Sequence, residues 1–139
     1  MNRFIIFMFV VVTYFGLNVA FDMFPCPKNK VLIRNELGPG LVLQYHCHSR
    51  DHNLDVANLQ FNEYKEIAFG DKLGKRTRWS CILKHGLYMR YYSEFIAYMM
   101  ANVRRCGAIR NWIARKDRIY LIRNVNPPAV FRYTWNKTK

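Results

Sequence analysis

From Val31 onwards, apolar residues recur at every second position in one short stretch after another. Residues 31–37, 41–47 and 79–83 each alternate apolar side chains with charged or polar ones. A period of two places the apolar residues on one face of a β-strand. Turn-forming residues separate the stretches every 8–12 residues or so, a spacing typical of sandwiches and barrels. The sequence therefore predicts an all-β domain, a small antiparallel β-sandwich.

The individual stretches suggest further elements. Residues 31–37 and 41–47 flank the turn Gly38-Pro39-Gly40 and are expected to form a hairpin. After a turn at His85-Gly86, residues 87–92 are expected to begin another strand. Residues 93–107 change the period: Ser93 suits a helix N-cap, apolar residues follow at helical spacing, and Gly107 can end the helix. We therefore expect one short helix within the sandwich. Further strands are expected at residues 59–69, 112–113, 119–122 and 130–135.

The N-terminus has the layout of a secretory signal peptide. Arg3 precedes a nearly unbroken apolar run over residues 4–17, and Ala20 supplies a small residue for cleavage. The run is shorter than the ~20 residues that a membrane-spanning helix needs. We therefore assign residues 1–20 to a signal peptide and residues 21–139 to a secreted, extracellular domain. Cleavage removes one positive residue, Arg3, so the formal charge falls from +13 to +12.

Four cysteines remain in the secreted domain: Cys26, Cys47, Cys81 and Cys106. An even number in a short secreted chain predicts two disulfides, but four cysteines allow three connectivities and the sequence does not choose among them. No Cys-x-x-Cys pair is present, so nothing favours structural zinc.

The length leaves room for one domain only, and a composition of 51% hydrophobic and 16% aromatic residues excludes a disordered basic tail.

Several motifs, in order, resemble the plant self-incompatibility S1 protein family, also called S-protein homologues. They cover nearly the whole secreted domain, and their order is more specific than any one of them. The matching segments are Val31-x-Ile33-x-Asn35-x-Leu37, His46-Cys47-x-Ser49-x-Asp51, Thr77-x-Trp79-x-Cys81, Cys106-Gly107 followed by Trp112-Ile113, Lys116-Asp117 and Ile119-Tyr120, and Tyr133-x-Trp135.

The chain departs from the family pattern at three places. Arg110 stands where the family has a second cysteine, and Cys26 lies upstream of the shared pattern, so one half-cystine is exchanged for another. Arg118 stands where the family has a turn glycine, and arginine resists a positive φ. The segment after Glu94 is also more apolar than the polar loop expected there.

The resemblance implies a secreted, disulfide-bonded β-sandwich that is not an enzyme and needs no cofactor or metal. It implies a ligand or signalling module that binds a plasma-membrane receptor. We expect a monomer, and secretion argues against nucleic acid as the partner. Recognition normally lies on loops carried by a rigid sandwich, so the loops at residues 49–55 and 70–76 are the expected contact surface. The candidate contact residues are Arg50, Asp51, His52, Asn53, Asp71, Lys72, Lys75 and Arg76. The alternative is a cationic defence protein that binds anionic cell-wall or membrane surfaces.

Two chemical alternatives involve the histidines. His46, His48 and His52, with Asp51 among them, suggest a metal site, although solvent-facing polar residues explain the pattern more simply. A secreted basic protein also suggests a ribonuclease, with His46 and His85 as acid and base beside Lys84. The family resemblance argues against this alternative.

Positive charge is concentrated in two regions of the chain. An excess of arginine in the last third, together with the basic loop at 72–78, predicts attraction to an acidic partner; a solvated cationic surface is the simpler alternative. The cations of the last third are Arg104, Arg105, Arg110, Arg115, Lys116, Arg118 and Arg123.

Asn136-Lys137-Thr138 is a candidate N-glycosylation site close to the C-terminus.

Overall fold

The structure is a computed structural model that describes residues 2–3, 5–6, 8, 10, 25–72, 74–124 and 128–139. The proposed signal peptide lies mostly outside the described residues, and the cleavage position lies wholly outside them. Within the described part of the chain, no helix has the length and apolar character needed to cross a membrane.

In the described residues, ten strands form two five-stranded sheets that pack face to face as a sandwich. The first sheet has the order β4-β1-β7-β8-β9 and the second has the order β10-β6-β5-β2-β3. The strands are β1 (Asn29–Glu36), β2 (Leu43–His48), β3 (Ala57–Leu59), β4 (Tyr64–Phe69), β5 (Arg78–His85), β6 (Tyr91–Met99), β7 (Ile109–Arg115), β8 (Ile119–Arg123), β9 (Val130–Tyr133) and β10 (Asn136–Lys137). The expected all-β sandwich is confirmed, including strands at 112–113, 119–122 and 130–133.

One pair of strands departs from the expected antiparallel arrangement. β1 and β7 run parallel, with Lys30 opposite Ile109 and Glu36 opposite Arg115, while every other strand pair is antiparallel among the residues that the structure describes. The first sheet is therefore mixed. Both parallel strands begin at the same end of the sandwich, so the segments that precede them also meet there.

The expected hairpin between residues 31–37 and 41–47 is wrong. β1 belongs to the first sheet and β2 to the second, so the Gly38–Gly40 turn crosses from one sheet to the other. Asn35, which is fully buried, holds this crossing: its Nδ2 donates to the carbonyls of Leu41 and Leu59, and its Oδ1 accepts from the Leu37 amide. A buried amide with every bond satisfied fixes the crossing in place of ladder hydrogen bonds.

The expected helix at residues 93–107 is also wrong, because β6 occupies residues 91–99. Ser93, Phe95 and Ala97 face the core at every second position. A β-bulge then pairs Trp79 with Tyr98 and Ser80 with Ile96, which leaves Ala97 as the extra residue. Ala97 and Tyr98 are consequently both buried. The bulge breaks the period of two, and the apolar spacing then resembles that of a helix.

The strand expected over residues 87–92 begins only at Tyr91. Leu87–Met89 instead forms a 3₁₀ turn between β5 and β6, and its residues are exposed or partly exposed. Gly86 has φ +85°, and a Cβ at this position would lie 2.7 Å from the ring of Tyr91. The turn therefore requires glycine at position 86.

The core lies between the two sheets. It contains one of the two disulfides that the described residues form. Cys47 and Cys81, opposite each other on β2 and β5, are bonded and fully buried, while Cys26 and Cys106 are bonded at the surface. The described residues contain no free cysteine. The core side chains are Val31, Ile33, Leu37, Leu43, Tyr45, Cys47, Leu59, Ile67, Trp79, Cys81, Leu83, Phe95, Ala97, Tyr98, Trp112, Ala114, Ile119 and Leu121.

Strand register divides the connections between two ends of the sandwich. At one end, Asn29 of β1 pairs with Phe69 of β4, and His48 of β2 pairs with Ser80 of β5. The loops at 49–56 and 70–77 and the connection at 100–108 therefore share this end with the lead-in at 25–28. The Gly38–Gly40 crossing, the 3₁₀ turn and the β7–β8 turn lie at the opposite end.

Candidate functional site

Two loops that lie about twenty residues apart in sequence line one cleft at the first end of the sandwich. The loop at 49–55 follows β2, and the loop at 70–76 follows β4. The cleft between them has a volume of about 390 Å³. This volume falls in the range that binding sites for small ligands or short peptide segments occupy. The structure therefore brings the two loops that the sequence singled out into a single site.

Local hydrogen bonds give the first loop its shape. The Ser49 amide donates to the His52 carbonyl over 2.7 Å, and the His52 amide donates to Ser49 Oγ over 3.1 Å. The Leu54 amide then bonds to the Cys47 carbonyl. The loop is thus a closed turn anchored beside the buried disulfide, which holds its charged tips in a defined position.

The floor of the cleft is apolar and aromatic. Ile67, Phe69 and Trp79 lie beneath it, with Phe69 and Trp79 in ring contact at 5.7 Å between centroids. The His52 ring lies parallel to Trp79, with an angle of 4° between the rings. Trp79 itself is only 3% exposed, so His52 covers it from the solvent side. A ligand in this cleft meets a flat ring surface below and charged side chains around the rim.

The rim of the cleft is strongly cationic. Asp51 is the one carboxylate among the described residues that line the cleft, and it lies 4.0 Å from Lys72 Nζ, a separation at which an exposed pair contributes little. The lining cations, all exposed, are Lys28, Arg50, Lys72, Lys75, Arg76 and Arg78. Such an excess of positive charge around an apolar floor suits an acidic ligand with an apolar group.

The structure does not place all eight candidate contact residues alike. Arg50, Asp51, His52, Lys72, Lys75 and Arg76 line the cleft. Asn53 lies just outside it and bonds through Oδ1 to His46 Nε2 over 2.7 Å. Asp71 has to be removed from the contact set, because it is 4% exposed and its carboxylate accepts from the Tyr98 hydroxyl and the Arg105 amide. Asp71 instead ties the 70–76 loop to the core.

Two cleft cations were not among the candidate contact residues. Lys28 comes from the lead-in before β1 and belongs to no predicted loop. Arg78 is the first residue of β5, and the sequence placed it in the basic loop at 72–78 without naming it as a contact residue. Their place at the cleft follows from strand register, because the start of β1 and the start of β5 lie at the same end of the sandwich as the two loops.

The histidine cluster does not form a metal site in the described part of the chain, where no group of three His, Cys, Asp or Glu side chains is placed to hold an ion. His46 and His48 lie 6.0 Å apart between ring centroids. His46 bonds to Asn53, and His52 turns away to lie against Trp79. The three imidazoles therefore do not converge.

The ribonuclease arrangement is not formed either. His85 points into the core and is 9% exposed, whereas His46 and Lys84 lie on the outer face of the same sheet. An acid and a base on opposite faces of a sheet cannot act on one phosphate. His85 instead packs between Tyr91 and Trp135, at 5.0 and 4.3 Å between ring centroids.

His85 is expected to make the stability of the domain fall at acidic pH. Burial lowers its pKa below the ordinary value of 6.5, because the apolar surroundings disfavour the imidazolium, and its Nε2 has no hydrogen-bond partner among the described residues. As pH falls below 6.5, the unfolded chain takes up a proton that the folded chain refuses, so stability falls with pH. We expect His85→Phe to reduce the dependence on pH of the urea-denaturation midpoint, measured across this range. His52→Gln, at an exposed position, is the control that should leave the slope unchanged, and an unchanged slope in His85→Phe would contradict the prediction.

The arginines of the last third do not form one surface. Arg105, Arg110 and Arg123 lie at the same end as the cleft. Arg115 and Arg118 lie at the opposite end, over the rings of Tyr120 and Phe131 respectively. The sequon asparagine, Asn136, is exposed on β10 at that opposite end, where it pairs with Tyr92.

Comparisons with known proteins agree with this architecture. The family model for plant self-incompatibility protein S1 matches residues 30–135. The chain is 41% identical to S-protein homolog 25 of Arabidopsis thaliana, covering 99% of each chain. It is also 41% identical to S-protein homolog 30 of the same plant, covering 94% of this chain and all of that one.

A solved structure shares the fold. It matches with a TM-score of 0.67 and 34% identity, covering 81% of this chain and 97% of the other. It is a self-incompatibility protein homologue from a family described as widespread, small, highly stable, secreted proteins from plants. The chain therefore belongs to the plant self-incompatibility S1 protein family, the S-protein homologues, and is a secreted β-sandwich protein.

Proposed function

We propose that this protein is an extracellular ligand that binds an acidic segment of a cell-surface receptor through the cleft between the 49–55 and 70–76 loops. The observation that carries the proposal is the convergence of six cations and one carboxylate on an apolar-floored cleft. The loops are fixed by local hydrogen bonds, so little order has to be gained on binding. In this proposal the protein acts as a monomer, without enzymatic activity or cofactor.

The charge of the cleft supports recognition beyond simple attraction. Arg50, Arg76 and Arg78 each offer a planar fork of donors that can bind a carboxylate in a bidentate manner. Phe69 and the His52 ring supply apolar surface between these groups. An acidic peptide segment with an aromatic or aliphatic residue matches both features. A protein that binds anionic surfaces by charge alone would need the cationic rim of the cleft but not its apolar floor.

The test uses the fluorescently labelled secreted domain and right-side-out plasma-membrane vesicles from plant tissue. We expect saturable binding that is lost after protease treatment of the vesicles. Replacing Arg50, Lys75 and Arg76 together by glutamine should weaken it about tenfold or more, because three rim charges are removed.

The matched control removes the same charge elsewhere. Arg90, Lys116 and Lys139 are exposed, and the first two lie at the opposite end of the sandwich. Replacing these three by glutamine should change binding by less than about twofold. Equal losses in the two triple variants, or full binding to protein-free anionic lipid vesicles or to polygalacturonate, would instead support the cationic defence protein. Binding in that case should also decline steeply with salt.

A further inference from the structure

A second cavity, separate from the loop cleft, lies where β6 faces β7, β8 and β9. Its volume is about 280 Å³, and it shares no residue with the cleft. Four arginines line it, one from each of four consecutive segments: Arg105 from the β6–β7 connection, Arg110 from β7, Arg123 from β8 and Arg132 from β9. We call this cavity the arginine pocket.

No carboxylate pairs with any of these four side chains among the described residues, where the ion pairs are Lys30–Glu66, Lys72–Asp51 and Arg115–Glu36. The Arg110 guanidinium donates only to the neighbouring Ile109 carbonyl, over 3.1 Å. Burial lowers the pKa of Arg110, and the charges of Arg123 and Arg105 lower it further. The positive charges of Arg123 and Arg105 thus act on Arg110 without a nearby counter-charge paired to it among the described residues.

The nearest acid, Asp71, is already occupied. Its carboxylate accepts from the Tyr98 hydroxyl at 2.9 Å and from the Arg105 backbone amide at 2.8 Å. Burial, followed by the hydrogen bond and the charge of Asp71, raises the pKa of Tyr98 to about 12, so the Tyr98 hydroxyl stays neutral. Asp71 offsets part of the positive field from behind Tyr98, but it does not line the pocket.

The Tyr98 ring contacts two of the four arginines. The Tyr98 ring lies 5.9 Å from the Arg105 guanidinium carbon and 6.0 Å from that of Arg110. Trp112 and Tyr133, which contact each other, form the remaining aromatic wall. Cation–π contacts at these distances are attractive but do not supply a counter-charge. The pocket is therefore a set of four arginine side chains, two of them held against Tyr98, without a carboxylate partner among the described residues.

We propose that the arginine pocket binds a phosphate or sulfate group. Guanidinium forks match the geometry of tetrahedral oxyanions, and several of them around one cavity balance a group with two negative charges. The volume of about 280 Å³ is large enough for a tetrahedral oxyanion. The group can arrive as a free ion or as an ester on a larger molecule. This proposal does not depend on the receptor-binding function of the loop cleft.

Thermal unfolding of the secreted domain tests the proposal. At 10 mM sulfate or phosphate, we expect the melting temperature to rise by about 3–6 °C above its value in chloride of equal ionic strength, because the anion binds only the folded state. Arg110→Gln/Arg123→Gln should abolish this specific rise. In low-salt buffer, the melting temperature of the same variant should equal or exceed that of the unmodified protein, because two repelling charges are gone.

The matched control is Arg50→Gln/Arg76→Gln, which removes the same charge from the loop cleft and should keep the full response to sulfate. This control also accounts for any general salting-out effect of sulfate. Equal responses to sulfate and chloride, or an undiminished response in Arg110→Gln/Arg123→Gln, would overturn the proposal.

A second measurement on the unmodified protein does not depend on the variant folding. NMR titration with sulfate should shift the arginine side-chain resonances of Arg110 and Arg123 in a saturable way, and unmoved resonances would refute the site. Phenyl phosphate and phenyl sulfate then distinguish the sources. At least tenfold tighter binding than the inorganic ion indicates an ester on a larger molecule, whereas equal affinity indicates a free ion.

Discussion

Replacing Cys47 and Cys81 together by alanine is expected to lower the free energy of unfolding by about 5 kcal/mol. The bond joins residues 34 positions apart, and closing a loop of that length restricts the unfolded chain by about 4 kcal/mol in the chain-entropy model. Both sulfurs are fully buried in the core, so their removal also leaves a small cavity worth about 1 kcal/mol. A loss of this size is a large part of the stability of a small domain.

The second disulfide provides the matched comparison. Cys26 and Cys106 are 80 residues apart, but the Cys47–Cys81 bond lies inside their loop and shortens it. The entropic term for the two bonds is therefore similar, whereas the cavity term is absent because Cys26 and Cys106 are exposed. Hydrogen bonds from Gly107 to Pro27 and from Ala108 to Asn29 continue to hold the two segments together.

Urea denaturation of the two double-alanine variants measures both effects. We expect Cys26→Ala/Cys106→Ala to lose about 4 kcal/mol and Cys47→Ala/Cys81→Ala to lose about 1 kcal/mol more, at similar m-values. The reverse order would mean that the surface bond stabilises the folded state in a way that its exposure does not explain. Unchanged midpoints in both variants would show that neither bond forms in the secreted protein.

The sequence predicts the sandwich because burial alternates strictly in three strands that carry much of the core. β1, β2 and β5 each place every second residue in the core, and these were the clearest stretches of alternation. Where a bulge interrupts the alternation, as at Ala97 in β6, local pattern alone indicated a helix. The error came from tertiary pairing, since only the register with β5 makes residue 97 the extra one.

Pairing between strands was not readable from local pattern. The same alternation in β1 and β2 fits a hairpin or a crossing between sheets, and the buried Asn35 that decides for the crossing looks like an ordinary polar strand residue. The parallel β1–β7 pair joins segments about 80 residues apart. Nothing in either segment specifies the other, because pairing depends on how the whole core closes.

The candidate site, too, was predicted from the sequence in part, and the rest of it depends on the fold. The sequence identified the two loops by composition, and six of the eight candidate residues do line one cleft. It did not distinguish Asp71, which stands among charged residues of the same loop but whose carboxylate is buried against Tyr98. Three of the pocket's arginines, Arg105, Arg110 and Arg123, belong to the cationic last third that was predicted to attract an acidic partner. The pocket itself was not predicted, because its four arginines come from four separate segments that only the fold brings together.

Replacing Trp112 by alanine should cost about 4 kcal/mol, because this side chain fills the space between the two sheets. The ring lies 4.5 Å from that of Phe95 on the opposite sheet and 5.7 Å from that of Tyr133 on β9. It is 3% exposed, and its indole Nε1 donates to the Ala97 carbonyl over 3.0 Å. That carbonyl belongs to the bulge residue of β6, so Trp112 also satisfies a backbone group at the irregular point of the strand.

Two variants separate the contributions of packing and hydrogen bonding at this position. Trp112→Phe keeps most of the apolar surface but leaves the buried Ala97 carbonyl without its donor, so it should lose about 1–3 kcal/mol. Phe131→Ala truncates an aromatic ring that is 43% exposed on β9 and should lose less than about 1 kcal/mol. Chemical denaturation of all three variants gives the order. If Trp112→Phe unfolds at the midpoint of the unmodified protein, the indole bond contributes nothing, and the bulge in β6 must be held by its pairing with β5 and by the packing of Tyr98 alone.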